Sequence, residues 1–145
     1  MQDIDLLAIE RECARLVAQY CQLIDHGRAG RVCDLFTEDA VWASPETTLS
    51  GREEIARSFQ RREQNAGRRS RHVCSTMLLD VLGPDEATGV TYLTLYRDDG
   101  PVGRGVSRIG GPAVVGEYRD RFVRTDAGWR IQRRELVVAF VGATS

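Results

Sequence analysis

The 145-residue chain sets 20 Lys+Arg against 21 Asp+Glu, a formal charge of -1, with 42% hydrophobic and 28% charged residues. That is enough chain for one core and too little for two, so residues 1–145 read as a single domain. The balanced charge excludes a dedicated binder of nucleic acid or anionic membrane. The sequence contains no Lys, so every basic residue is Arg, which rules out Schiff-base chemistry, a P-loop lysine and a Ser/Lys dyad.

Leu6, Ile9, Cys13, Leu16, Val17, Tyr20 and Ile24 keep a 3.6-residue period and predict an amphipathic helix. Gly27 is its expected stop, in the left-handed conformation. A short second helix with Val32, Leu35 and Phe36 on one face is expected to run out at Thr37-Glu38-Asp39, before a strand Ala40-Val41-Trp42-Ala43 ended by Pro45. Ser50-Gly51-Arg52-Glu53 has the spacing of a capping box and opens a third helix, to about Asn65, with Ile55 and Phe59 inward. After Gly67 the period falls to 2. Strands are expected at 71–82, 88–97, 113–124 and 129–141, with Gly83-Pro84-Asp85, Asp98-Asp99-Gly100 and Asp126-Ala127-Gly128 as turns. Helices followed by antiparallel strands predict an α+β domain, whose curved sheet leaves a concave face.

Alternation places Tyr92, Thr94 and Tyr96 on one face, and Tyr118 and Phe122 on one face of the next strand, with Glu117, Arg119 and Arg121 opposite. For the strand at 71–82 it puts His72, Cys74, Thr76 and Leu78 on one side and Val73, Met77, Leu79 and Val81 on the other, both largely apolar. Cys13, Cys21, Cys33 and Cys74 form no CxxC pair and have no His at metal spacing, so reduced thiols and no metal are expected. The N-terminus lacks a basic and apolar leader, and no apolar run approaches the ~20 residues of a membrane span. A cytoplasmic protein without membrane contact is the expectation.

Asp25 falls in the last turn of the first helix, where the macrodipole disfavours a carboxylate; Arg28, solvent or a buried donor must compensate it. Two histidines occur, His26 at the helix end and His72 at the start of an apolar strand. A carboxylate on one imidazole nitrogen fixes the tautomer and stabilises the imidazolium, so Asp25 and His72 form a candidate base pair. Tyr20, Tyr92, Tyr96 and Tyr118 could donate to a substrate oxygen.

The run Tyr20-Cys21-Gln22-Leu23-Ile24-Asp25, then Leu35-Phe36-Thr37-Glu38-Asp39-Ala40, Gly51-Arg52-Glu53-Glu54-Ile55, His72, Tyr118 and Asp126-Ala127-Gly128-Trp129-Arg130, in that order, resembles the SnoaL-like branch of the nuclear-transport-factor-2-like superfamily. The resemblance implies a cone-shaped α+β barrel around a deep apolar pocket, in a homodimer or homotrimer. Tyr-x4-Asp with a strand-opening His is similar to scytalone dehydratase and bile-acid 7α-dehydratase, and the Asp and His also resemble the pair in hexachlorocyclohexane dehydrochlorinase, all lyases that need no cofactor. It implies His72 as base, Asp25 as its partner and Tyr20 as polariser of a substrate oxygen. Trp42, Tyr92, Tyr118 and Phe122 are the expected lining for an apolar cyclic or polyketide-like molecule. Three departures stand out. Ser44 occupies the place of the steroid-isomerase Asp, no second His lies between Thr88 and Arg97, and no counterpart is evident for the cation that relatives place near the leaving group. The expectation is a dehydratase-like lyase or isomerase; the alternative is a non-catalytic binder or scaffold of the same fold.

Overall fold

The computed structural model describes residues 1–143. Its order is α1 (Asp3–Asp25), a 3₁₀ helix (Ala29–Leu35), β1 (Phe36–Ala43), β2 (Thr48–Ser50), α2 (Arg52–Gln64), β3 (Arg68–Gly83), β4 (Glu86–Asp99), β5 (Val114–Thr125) and β6 (Gly128–Val141). The six strands form one sheet in the order β2-β1-β6-β5-β4-β3. All pairings are antiparallel except β1 with β6. The architecture is the α+β cone expected, with the sheet open and β2 and β3 as its edges.

Helix α1 forms because its apolar stripe has somewhere to go: Ile9, Cys13, Leu16, Val17, Tyr20, Cys21 and Ile24 are all buried. Asp3 and Asp5 sit in its first turn, where the dipole favours them. Its end is set by Gly27 at φ +80°. The Arg28 N–H turns back to the Leu23 carbonyl at 2.8 Å and the His26 N–H to that of Gln22 at 3.1 Å, satisfying carbonyls the helix would otherwise leave open. Helix α2 contributes Ile55 and Phe59 to the same core.

Three local expectations need correction. The second helix is a 3₁₀ segment that stops at Leu35, and Phe36 through Asp39 already belong to β1, which is fixed by parallel pairing with β6. No Ser50 cap forms: Gly51 is the N-cap of α2, and Glu54 rather than Glu53 reaches back, accepting the Ser50 N–H at 2.7 Å. The short strand β2 is an addition to the expected elements, because its three residues carry no period of their own.

Two bulges decide which side chains reach the interior. In β3 the register slips between Ser75 and Leu78, with Thr76 at φ +54°, the one non-glycine positive φ among the described residues. Before the slip Ser70, His72 and Cys74 face inward; after it Met77, Leu79 and Val81 do. The strand therefore looks apolar on both sides because its inward parity changes halfway. In β6, Gln132 is left unpaired between Ile131 and Arg133. Trp129 and Ile131 face inward before it and Arg134 after it. Extra residues of this kind bend a strand and re-aim the side chains beyond the bend.

Candidate active site

Asp25 ends α1 with its side chain against the start of β3. One carboxylate oxygen, Oδ1, lies 2.7 Å from His72 Nδ1 and accepts the Ser70 hydroxyl at 2.8 Å. The other, Oδ2, accepts the His72 backbone N–H at 2.8 Å. Buried donors, not Arg28, offset the helix dipole. The side chains of His72 and Asp25 are 10% and 6% exposed. Burial by itself would raise the Asp25 pKa, but the bonds and charge of His72 and the Ser70 hydroxyl outweigh it and hold the carboxyl below its ordinary value. Ser70 is in turn steadied by Arg62 of α2, whose Nη2 donates to its Oγ at 3.0 Å. In the neutral ring, Nδ1 as donor to the carboxylate leaves the lone pair on Nε2.

Tyr20, on α1 a little more than one turn before Asp25, stands edge-on to the His72 ring with centroids 6.2 Å apart. Its hydroxyl accepts the Trp42 indole N–H at 3.0 Å, which leaves the phenolic proton for another acceptor. Tyr118 meets Tyr20 edge-on at 5.7 Å. Burial raises the phenol pKa of both tyrosines, so both stay neutral donors at physiological pH.

The residue missed from sequence is Arg134. It is fully buried, with its guanidinium carbon 4.4 Å from the Tyr20 ring centre and 3.9 Å from that of Tyr118. Nε and Nη2 donate to the two oxygens of Asp120, each at 2.8 Å, while Nη1 has no hydrogen-bond partner among the described residues. Strict alternation from Trp129 and Ile131 would point Arg133 inward, so only the Gln132 bulge brings Arg134 to this place. Tandem arginines in a strand that otherwise reads as amphipathic are the one available signal.

The structure thus assembles Asp25, His72, Tyr20, Trp42 and Tyr118. Phe122 shares their inner face, two inward positions along β5 from Tyr118, and is completely buried. Tyr92 does not belong with them. It is 53% exposed on the outer face, because the inward residues of β4 are Thr91, Leu93 and Leu95. The expected parity of this strand is reversed, since three aromatic or β-branched residues at alternate positions outweigh the smaller Thr91. The interior is filled by Tyr20, Phe36, Leu93, Tyr118 and Phe122 packed together. A cleft of about 600 Å³ lies elsewhere, on the outer side between Arg71, Tyr96, Arg97 and the loop carrying Val106 and Ile109.

The fold and this cluster define the class. Residues 5–135 match the SnoaL-like domain, and the chain belongs to that family. An NTF2-like protein with a cystatin-like fold from Novosphingobium aromaticivorans is 30% identical, over 97% of this chain and 88% of that one, with a TM-score of 0.78. A candidate scytalone dehydratase from the same organism superposes with a TM-score of 0.84 at 21% identity, covering 99% of this chain and 93% of that one. The hexachlorocyclohexane dehydrochlorinase LinA-type3 from Novosphingobium barchaimii gives 0.76 at 16% identity, covering 99% and 97%. At such identities these two likenesses establish the fold. No curated protein sequence matches the chain. No helix among the described residues is long and apolar enough to cross a membrane.

Proposed function

We propose that this chain is a cofactor-independent lyase of the dehydratase type, or an isomerase, acting on an apolar cyclic or polyketide-like small molecule. The observation that carries the reading is the buried 2.7 Å contact between His72 Nδ1 and Asp25 Oδ1 beside two neutral tyrosines and an arginine. His72 Nε2 takes a proton from carbon next to a carbonyl, and Asp25 stabilises the imidazolium formed. The C–H electron pair becomes the new double bond, and the leaving group departs with its own pair. Tyr20, whose oxygen is already engaged by Trp42, donates its proton to the oxygen that gains charge. The unpartnered Arg134 Nη1 offers a second donor on that side of the ring cluster. Base catalysis supplies about 10²–10⁴-fold, so these donors carry the remainder.

The test is turnover of a panel of cyclic hydroxy-ketones, followed as loss of water. His72→Gln and Asp25→Asn should each lower kcat/KM by about 10²-fold or more while the folded signature persists. Wild-type rates in either variant would remove the base. A non-catalytic binder is the second reading, favoured by the buried cluster of Tyr20, Leu93, Tyr118 and Phe122 that fills the interior. Ligand binding that survives both substitutions with no turnover in wild type would establish it. A homodimer or homotrimer fits the apolar side chains exposed on the outer face, among them Val73, Leu78, Tyr92 and Phe140. Light scattering measures it directly.

A further inference from the structure

Cys21 and Cys74 have no place in the mechanism above, yet their sulfurs lie 3.5 Å apart, Cys21 as donor to Cys74. One comes from α1, four residues before Asp25, and the other from β3, two residues after His72. The thiol pair is therefore the next rung of the same helix–strand contact that holds the dyad. Cys21 is buried and Cys74 partly so. The other two thiols are differently placed: Cys13 is fully buried, and Cys33 bonds the Gly30 carbonyl and Asp34.

We propose that Cys21 and Cys74 are a modification site, a dithiol that closes to a reversible disulfide with a peroxide as oxidant and clamps α1 to β3 beside His72. Cys74 is the attacking sulfur. The proton that Cys21 donates to it lowers its pKa against the opposing effect of burial, and the nearby Arg134 charge acts in the same direction. In the first step the Cys74 thiolate attacks one oxygen of hydrogen peroxide, the O–O bond breaks, and the leaving hydroxide takes a proton to become water. Cys74 is then a sulfenic acid. In the second step the Cys21 sulfur attacks the Cys74 sulfur and the S–O bond breaks, releasing a second water. Two thiols and one peroxide give one disulfide and two waters, two electrons passing from sulfur to oxygen.

A bonded pair needs the sulfurs about 2.05 Å apart, so they must approach by roughly 1.5 Å. The hydrogen bonds one rung away, from His72 and Ser70 to Asp25, have to follow that movement. The bond closes a loop between positions 53 residues apart, long enough for the oxidised chain to melt higher, by something on the order of 10 °C.

The test is stoichiometric hydrogen peroxide on the purified chain, then alkylation, cleavage after arginine and mass spectrometry. The chain has no lysine, so its four cysteines fall in four separate peptides, Cys21 in 16–28 and Cys74 in 72–97. The expected product is a single linked pair, 16–28 with 72–97, lighter by ~2 Da and restored by dithiothreitol. In Cys21→Ser, which leaves no resolving thiol, Cys74 should instead stop at the sulfenic acid, trapped by dimedone, and a second equivalent of peroxide should carry it to the sulfinic acid. A link through Cys13 or Cys33, sulfinic acid on Cys74 in wild type without a link, or four free thiols after treatment would each overturn the proposal. The wild-type mapping decides the matter even if the variant fails to fold.

Discussion

Replacing Asp120 by alanine removes the carboxylate that faces the Arg134 guanidinium, and the geometry of the pair sets the size of the loss. Both side chains are completely buried and joined by two bonds of 2.8 Å. Stranding a buried charge in this way costs about 3–5 kcal/mol. The Tyr20 and Tyr118 faces, at 4.4 and 3.9 Å, continue to solvate the cation but at about 2 kcal/mol each cannot replace the pair. For a chain of this length the melting temperature should fall by roughly 6–20 °C. Arg134→Met leaves the carboxylate stranded instead and should lose a similar amount. The double variant Asp120→Ala with Arg134→Met buries neither charge and should recover much of the loss, giving a coupling energy of about 3 kcal/mol or more. Urea unfolding of all four proteins completes the cycle. Additive losses, or a cost below about 1 kcal/mol for Asp120→Ala, would refute the reasoning that this pair is dry and mutually dependent.

The Asp25 carboxyl is held below its ordinary pKa when folded, so the stability it contributes is present above the unfolded value of about 3.9 and disappears as pH falls through the lower, folded value. Asp25→Asn should therefore narrow the difference in urea midpoint between pH 6 and pH 2; an unchanged difference would deny the linkage. Ser70→Ala removes one donor to a charged acceptor in a buried setting and should cost about 1.5–3 kcal/mol in urea unfolding, with the Asp25 carboxyl carbon titrating at higher pH than in wild type. Gly27→Ala meets no steric neighbour, so only the positive φ resists it; a loss near ~1 kcal/mol in the same assay is expected.

The long elements are legible in the sequence because their periods are long. α1 shows seven buried residues at helical spacing, and β3 to β6 follow a change to period 2 punctuated by Gly, Pro and Asp. What is not legible is the state of single residues. A bulge adds one residue without altering composition, so the slip at Gln132 leaves no local mark and that at Thr76 shows only as a strand apolar on both sides, and the inward parity beyond each is reversed. Tyr92 is misplaced for a related reason, since alternation finds two faces without saying which is covered. The Asp25–His72 contact spans 47 residues; the chemistry of the two side chains nominates the pair and the family resemblance strengthens it, but no spacing brings them together. Arg134 escapes altogether, because a charged residue in a strand is ordinarily read as solvated and its partner Asp120 sits between two exposed arginines.

The parallel pairing of β1 with β6 has a consequence for how the protein is made. A nascent chain that has reached Phe36 must still add about 95 residues before that strand's neighbour, from Ile131 to Glu135, begins to emerge. Until then β1 has only the three residues of β2 beside it, and the open edge of β5 waits for the same segment. Arg134 arrives with it, 14 residues after the Asp120 it pairs with. Contacts so distant along the chain form slowly, and unfinished edges attract other chains. Truncation before residue 128 should accordingly yield an aggregating species rather than a smaller working domain.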